Sequence, residues 1–178
     1  MEAGTRVWPW GRSKARTDAA RLVDIVSDAS RRPSFYGPGR IADSLEGRLE
    51  ALMLHAGLVM IRLRDEPEAA LLAQAFADAL FRHIDAGLRE AAVGDLAVPR
   101  RMRKIAGQFY GRLEAYAMAL SPAEGDALEA ALKRNILAPD AVGFASALAA
   151  WASHMRRQLA AAPASALFEA SLWADAEP

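Results

Sequence analysis

The chain has 178 residues, 22 Lys and Arg against 22 Asp and Glu, and no cysteine. That length suits one domain with a sizeable core. The missing thiols exclude a disulfide framework, a thiolate metal site and a cysteine nucleophile, and the zero net charge argues against a general DNA- or RNA-binding protein.

The charge is unevenly spread. Arg6, Arg12, Lys14 and Arg16 load the first residues, whereas beyond Gln158 there are only acids, Glu169, Asp175 and Glu177. Residues 1–16 mix Gly, Pro and Arg with Trp8 and Trp10 and sustain no helical period, so they read as a flexible basic tail. They lack the apolar core of a secretory signal, which points to a cytoplasmic chain. A helical domain is expected over 17–178.

Thr17 suits the N-cap of a first helix with Leu22, Val26 and Ala29 on one face, ended by Pro33. The turn-rich stretch Ser34 to Arg40 follows, with Phe35 and Tyr36 expected to pack downward as anchors. The second helix, from about Ser44 to Leu63, sets Leu45, Leu49, Leu52, Ala56, Val59 and Leu63 on one seam. Met53, Leu54, Leu58, Met60 and Ile61 fill its flanks, so it should be the buried central helix. Glu50 and His55 interrupt the run and argue against a membrane span, which needs around 20 apolar residues.

Asp65-Glu66-Pro67-Glu68 reads as a helix start, with the aspartate as cap and the acids facing the positive end of the dipole. The third helix should run to about Ala92 with Leu72, Phe76, Leu80, Ile84 and Leu88 inward, and with Asp78–Arg82 and Asp85–Arg89 ion pairs outward. The fourth opens at Pro99 and lines up Met102, Ile105, Phe109, Leu113, Tyr116 and Leu120. Its Gly107 and Gly111 would let a neighbouring backbone come close. Ser121 and Glu124 have the spacing of a capping box before a fifth helix bearing Leu128 and Leu132. A sixth carries Phe144, Leu148, Trp151, Met155 and Leu159, and Ser165 can cap a last short one with Leu167, Phe168, Leu172 and Trp173. No stretch alternates at strand period. The expectation is an all-α, single-domain bundle of about six to seven helices.

Chemistry is sparse. The histidines are His55, His83 and His154. No metal-ligand pair, serine nucleophile motif or phosphate-cradling glycine loop accompanies them, so no catalytic residue, cofactor or metal is assigned. His55, on the most apolar helix, reads as a hydrogen-bonded core residue, with a ligand or base as the alternative. His83 lies near Asp85 and Glu90, but residues two apart on a helix do not face each other and arginines flank the acids, so an ion-pair ladder is favoured over a site there. Leu167, Phe168, Leu172 and Trp173 either pack on the bundle or meet a partner.

One region suggests a task. Arg89 and Glu90 end the third helix, Gly94 and Asp95 fall in the loop, and Arg100, Arg101, Arg103 and Lys104 begin the fourth helix. Cations at a helix start oppose the dipole, so the corner is either a solvated face or a docking patch for an anionic partner. The candidate partner-binding residues are therefore Arg89, Glu90, Asp95, Arg100, Arg101, Arg103 and Lys104.

The same corner carries a family resemblance. Leu88 to Glu90, Val93 to Pro99, the basic cluster, and Phe109 to Tyr116 resemble the ubiquinol-cytochrome c chaperone family. Arg32 to Tyr36, Glu46 to Leu49, Leu54-His55 and Arg62 to Arg64 add to the likeness, which spans about Pro33 to Ile136. Ala92 and His83 depart from the family pattern, where glycine and an acidic residue are expected. The resemblance implies a noncatalytic assembly factor for the cytochrome bc complex. Such a factor would bind newly made cytochrome b, or an early intermediate containing it, at the cytoplasmic face of a bacterial membrane. It offers cytochrome b, the ribosome or anionic membrane lipid as what the corner meets. The rival readings are a small enzyme with a buried acid and base around His55, and a peripheral membrane-binding module without a specific client.

Overall fold

A computed structural model of the chain describes residues 11–91, 98–120, 127–174 and 177–178. Among these residues there are seven α-helices and no strand; one isolated bridge joins Tyr36 to Ile41. The fold is an all-α, single-domain bundle.

Helix α1 (Arg12–Ser30) starts after Gly11, so it takes in residues 12–16, which composition had assigned to the tail. Arginine, lysine and alanine favour helix, Lys14 pairs with Asp18 at 2.8 Å, and Ala15 is buried with Ala19 and Leu22. Thr17 is not the cap; its Oγ1 donates back to the Ser13 carbonyl at 3.4 Å. The connector turns at Gly37 (φ 122°) and Gly39 (φ 69°), left-handed conformations that favour glycine. This turn delivers Phe35 and Ile41 to the core.

Helix α2 (Leu45–Arg64) is capped by Ser44, whose Oγ accepts from the Gly47 N–H at 3.1 Å. Every residue from Ala51 to Leu63 is buried, and α2 packs against α1 and three helices introduced below. The expected seam fails at its first two positions: Leu45 is 40 % exposed and Leu49 half-buried, because the first turns of α2 emerge from the bundle.

A 3-10 turn at Pro67–Ala69 leads into α3 (Ala70–Glu90), with Leu72, Phe76, Leu80, Ile84 and Leu88 buried as expected. Asp65 does not cap it; its carboxylate accepts from Arg156 at 2.8 Å. The Asp85–Arg89 pair forms at 2.9 Å. The expected Asp78–Arg82 pair does not, because the Asp78 carboxylate accepts from Gln74 at 3.0 Å and Arg82 Nε turns to the Asp78 carbonyl.

The remaining helices are α4 (Val98–Ala119), α5 (Ala127–Asn135), α6 (Ala145–Ala161) and α7 (Ala170–Ala174). Helix α2 touches α3, α4 and α6 as well as α1, which makes it the central element. The capping box at Ser121 and Glu124 lies outside the described residues. Ser165 caps nothing: it sits inside a 3-10 turn, Ala164–Phe168, opened by Pro163. Leu167 and Trp173 are buried, Phe168 and Leu172 pack against the core, and Trp173 Nε1 donates to the Leu167 carbonyl at 3.2 Å. This face belongs to the bundle.

Three glycines separate by environment. A Cβ on Gly47 would lie 2.0 Å from the Ala42 carbonyl oxygen, whereas one on Gly107 or Gly111 would meet nothing within 4 Å. The close helix approach expected at the latter pair is therefore absent. Gly47→Ala should destabilise the protein by about 1–3 kcal/mol through overpacking, and Gly107→Ala and Gly111→Ala should each stabilise it by about 0.5–1 kcal/mol. Urea unfolding of the three variants checks the opposite signs.

Candidate functional site

The basic cluster begins α4, and the helical period divides it. Arg100, Arg101 and Lys104 fall within about 100° of arc, together with Gln108, while Arg103 lies outside that arc. The first three and Gln108 form one wall of a hollow of about 790 Å³. Glu46, Leu49 and Glu50, from the emerging turns of α2, form the other. Arg101 Nη2 reaches Glu46 at 2.9 Å. The start of α2 favours an acid and the start of α4 disfavours a cation, so this pair offsets part of Arg101's conflict with its own helix dipole. Arg100, Arg103 and Lys104 are exposed.

Glu50 marks the inner end of this hollow. It is half-buried and accepts from Arg112 Nη2 at 2.7 Å, while Glu50 Oε2 and Arg112 Nε and Nη1 are buried with no hydrogen-bond partner among the described residues. Burial pushes the Glu50 carboxyl up to about 7, against the opposing pull of Arg112.

A second hollow, of about 410 Å³, lies on the other side of Leu49, which lines both. Its apolar lining is Leu45, Leu49 and Leu52 from α2 with Ile84 and Leu88 from α3. Arg31, Arg48, His83 and Glu90 also line it. His83 Nε2 shares a hydrogen bond with Ser27 Oγ at 3.2 Å, so it ties α3 to α1, while Asp85 pairs with Arg89.

The expected site residues are thus brought together only in part. Arg100, Arg101 and Lys104 share a hollow, and Glu90 lines the neighbouring one. Arg89 is tied to Asp85, Arg103 lines neither hollow, and Asp95 lies outside the described residues. Sequence reasoning missed Glu46, Leu49 and Glu50. Two acids within an otherwise apolar helical run were the available signal.

His55 is enclosed. Its Nδ1 lies 2.8 Å from the Ala51 carbonyl, which can only accept, so Nδ1 carries the proton. Phe35 and Trp151 pack on the ring at centroid distances of 5.0 and 4.7 Å. Burial lowers its pKa to about 4. Among the described residues no group of three or more His, Asp or Glu side chains is placed to hold a metal, and no helix is long and apolar enough to cross a membrane.

Comparison with known proteins places the chain. Residues 39–174 match the family model described as Ubiquinol-cytochrome C chaperone. A solved structure, the crystal structure of the Cbp3 homolog from Brucella abortus, superposes with a TM-score of 0.74 at 36 % identity, covering 93 % of this chain and 91 % of that one. The chain belongs to the ubiquinol-cytochrome C chaperone family. No curated protein sequence matches it. The match begins later than Pro33 and continues past Ile136 through α6 and α7, beyond the stretch that carries the resemblance.

Several of the family-like residues prove to hold the fold. Arg32 donates to the Trp173 carbonyl at 2.9 Å, and Phe35 packs edge-on against Trp151. Gly47 lets α2 pass Ala42, and buried Arg62 donates to the Leu159 and Ala162 carbonyls at 2.6 and 3.1 Å. The Leu159 bond serves the last turn of α6.

Two buried groups give opposing pH responses. Between about pH 4 and 6.5 the unfolded chain binds a proton at His55 that the folded chain refuses, so this group makes stability rise with pH, by about 3 kcal/mol in full. Glu50 does the reverse. The folded chain keeps its proton up to about pH 7 and the unfolded chain releases it near 4.5, so stability falls across that window. Urea unfolding from pH 4 to 7 should show a shallow net slope for the wild type. Glu50→Gln should show a steeper rise with pH, whatever its absolute loss of stability.

Proposed function

We propose that this chain is a noncatalytic assembly factor of the ubiquinol-cytochrome c reductase complex. It holds newly made cytochrome b, or an early intermediate containing it, at the cytoplasmic face of a bacterial membrane. The observation that carries the assembly role is the family match together with 36 % identity over nearly the whole chain to a Cbp3 homolog. Peripheral association suits the described helices, none of which is long and apolar enough to span a bilayer. The enclosed His55 lines neither hollow, which disfavours an acid and base centre around it.

Docking is assigned to the surface formed by the starts of α2 and α4. Arg100 stands exposed in the first turn of α4, where the dipole is positive, an arrangement that costs folding stability and suits an anionic group of the client, and Lys104 stands exposed one turn further along the same face. Arg101 contributes once its pair with the 72 % exposed Glu46 opens, and exposed pairs of this kind are worth only about 0–1 kcal/mol.

Replacing Arg100, Arg101 and Lys104 with Gln should leave thermal unfolding within about 1 kcal/mol of the wild type. Recovery of cytochrome b with the purified protein should fall, and what remains should respond less to salt. Normal bc complex levels in cells carrying only the triple variant would show that the basic cluster is a solvated face.

A further inference from the structure

The two hollows beside α2 are parts of one surface. Leu49 lines both, Leu45 stands 40 % exposed above the apolar one, and Arg100 and Lys104 stand exposed over the cationic one. An apolar floor and a cationic floor therefore lie side by side, separated by one leucine. We propose that this surface binds an amphipathic peptide segment, seating apolar side chains among Leu45, Leu49, Leu52, Ile84 and Leu88 and acidic side chains against Arg100, Arg101 and Lys104. The proposal rests on the docking role argued above and adds the chemistry of the segment that docks.

Two features favour a peptide over a flat anionic bilayer. The cations flank a concavity of about 790 Å³, which a peptide segment can enter and an extended surface cannot. The exposed Glu46 stands on the facing wall and repels a dense array of phosphates, but a peptide with separate acidic and polar groups avoids it. Apolar anchors beside charged flanks are the usual way a groove reads an amphipathic helix. The charge balance agrees in sign. The cationic hollow sets three cations against two carboxylates, one of which, Glu50, burial holds partly protonated near neutrality; the apolar hollow sets Arg31 and Arg48 against Glu90.

The test uses the full chain and three labelled synthetic helices, read by fluorescence anisotropy. One has a leucine face flanked by glutamates, one carries lysines in place of the glutamates, and one carries serines in place of the leucines. The glutamate-flanked helix should bind, the other two about tenfold more weakly or not at all, and added salt should weaken binding. Leu45→Asp and Lys104→Glu should each weaken it by about tenfold. Leu45 is the first residue of α2, where an acid suits the dipole, so that variant keeps its fold, and circular dichroism checks this. Equal binding of the lysine-flanked helix, or full binding by Leu45→Asp, would overturn the proposal. Sedimentation with phosphatidylglycerol vesicles in the absence of peptide binding would also overturn it, while leaving the basic cluster as a membrane-docking surface. Binding of neither probe would overturn the peptide chemistry alone, since recovery of cytochrome b tests the docking role separately.

Discussion

A helix enclosed on every side has no water for its polar groups, and α2 is enclosed from Ala51 to Leu63. That constraint organises much of the molecule. His55 must be neutral and must find an acceptor, which the carbonyl one turn back supplies. Arg62, the charged residue in that span, is 5 % exposed, and it spreads its guanidinium over the Leu159 and Ala162 carbonyls and the Glu66 carboxylate. In doing so it ties the end of α6 to the end of α2. Polar residues that look like chemistry in the sequence are here the means by which an apolar helix carries them inside. Removing either group's partners would leave a buried donor or charge exposed to a low dielectric, a cost that hydrophobic packing alone does not offset.

The other end of α2 is its complement. The helix enters the bundle past Ala42, at a spacing that only Gly47 allows, and its first turns remain outside. Those turns hold Leu45, Glu46, Leu49 and Glu50, which face the start of α4 on one side and the end of α3 on the other. One helix therefore supplies both the centre of the core and the shared ridge of the candidate docking surface. Glu50 sits where the two regimes meet, half in the bundle with Arg112 and half in the hollow with Arg100.

The fold was legible because helical period and apolar content agree along most of the chain. Leu72, Phe76, Leu80, Ile84 and Leu88 in α3, and Leu148, Trp151, Met155 and Leu159 in α6, lie inward as their spacing requires. What local pattern could not reveal was competition between partners. Asp65 suits a cap by position, yet Arg156 from α6 takes it; Asp78 is well spaced for Arg82, yet Gln74 takes its carboxylate. The basic run in α4 was visible as a feature, but its division into a hollow-lining set and an outlying Arg103 depends on where α2 lies. Glu46 and Glu50 gave a weaker signal, because acids in the first turns of a helix usually form a solvated face.

On the docking role proposed here, the client meets the surface shared by the starts of α2 and α4. Site-specific photo-cross-linking in growing cells tests it most directly, with the probe placed at Leu45, at Lys104, or at Leu71, which is 50 % exposed and lines neither hollow. Adducts containing cytochrome b should form from Leu45 and Lys104 and not from Leu71. Adducts from Leu71 with none from the other two would place the client on a different face.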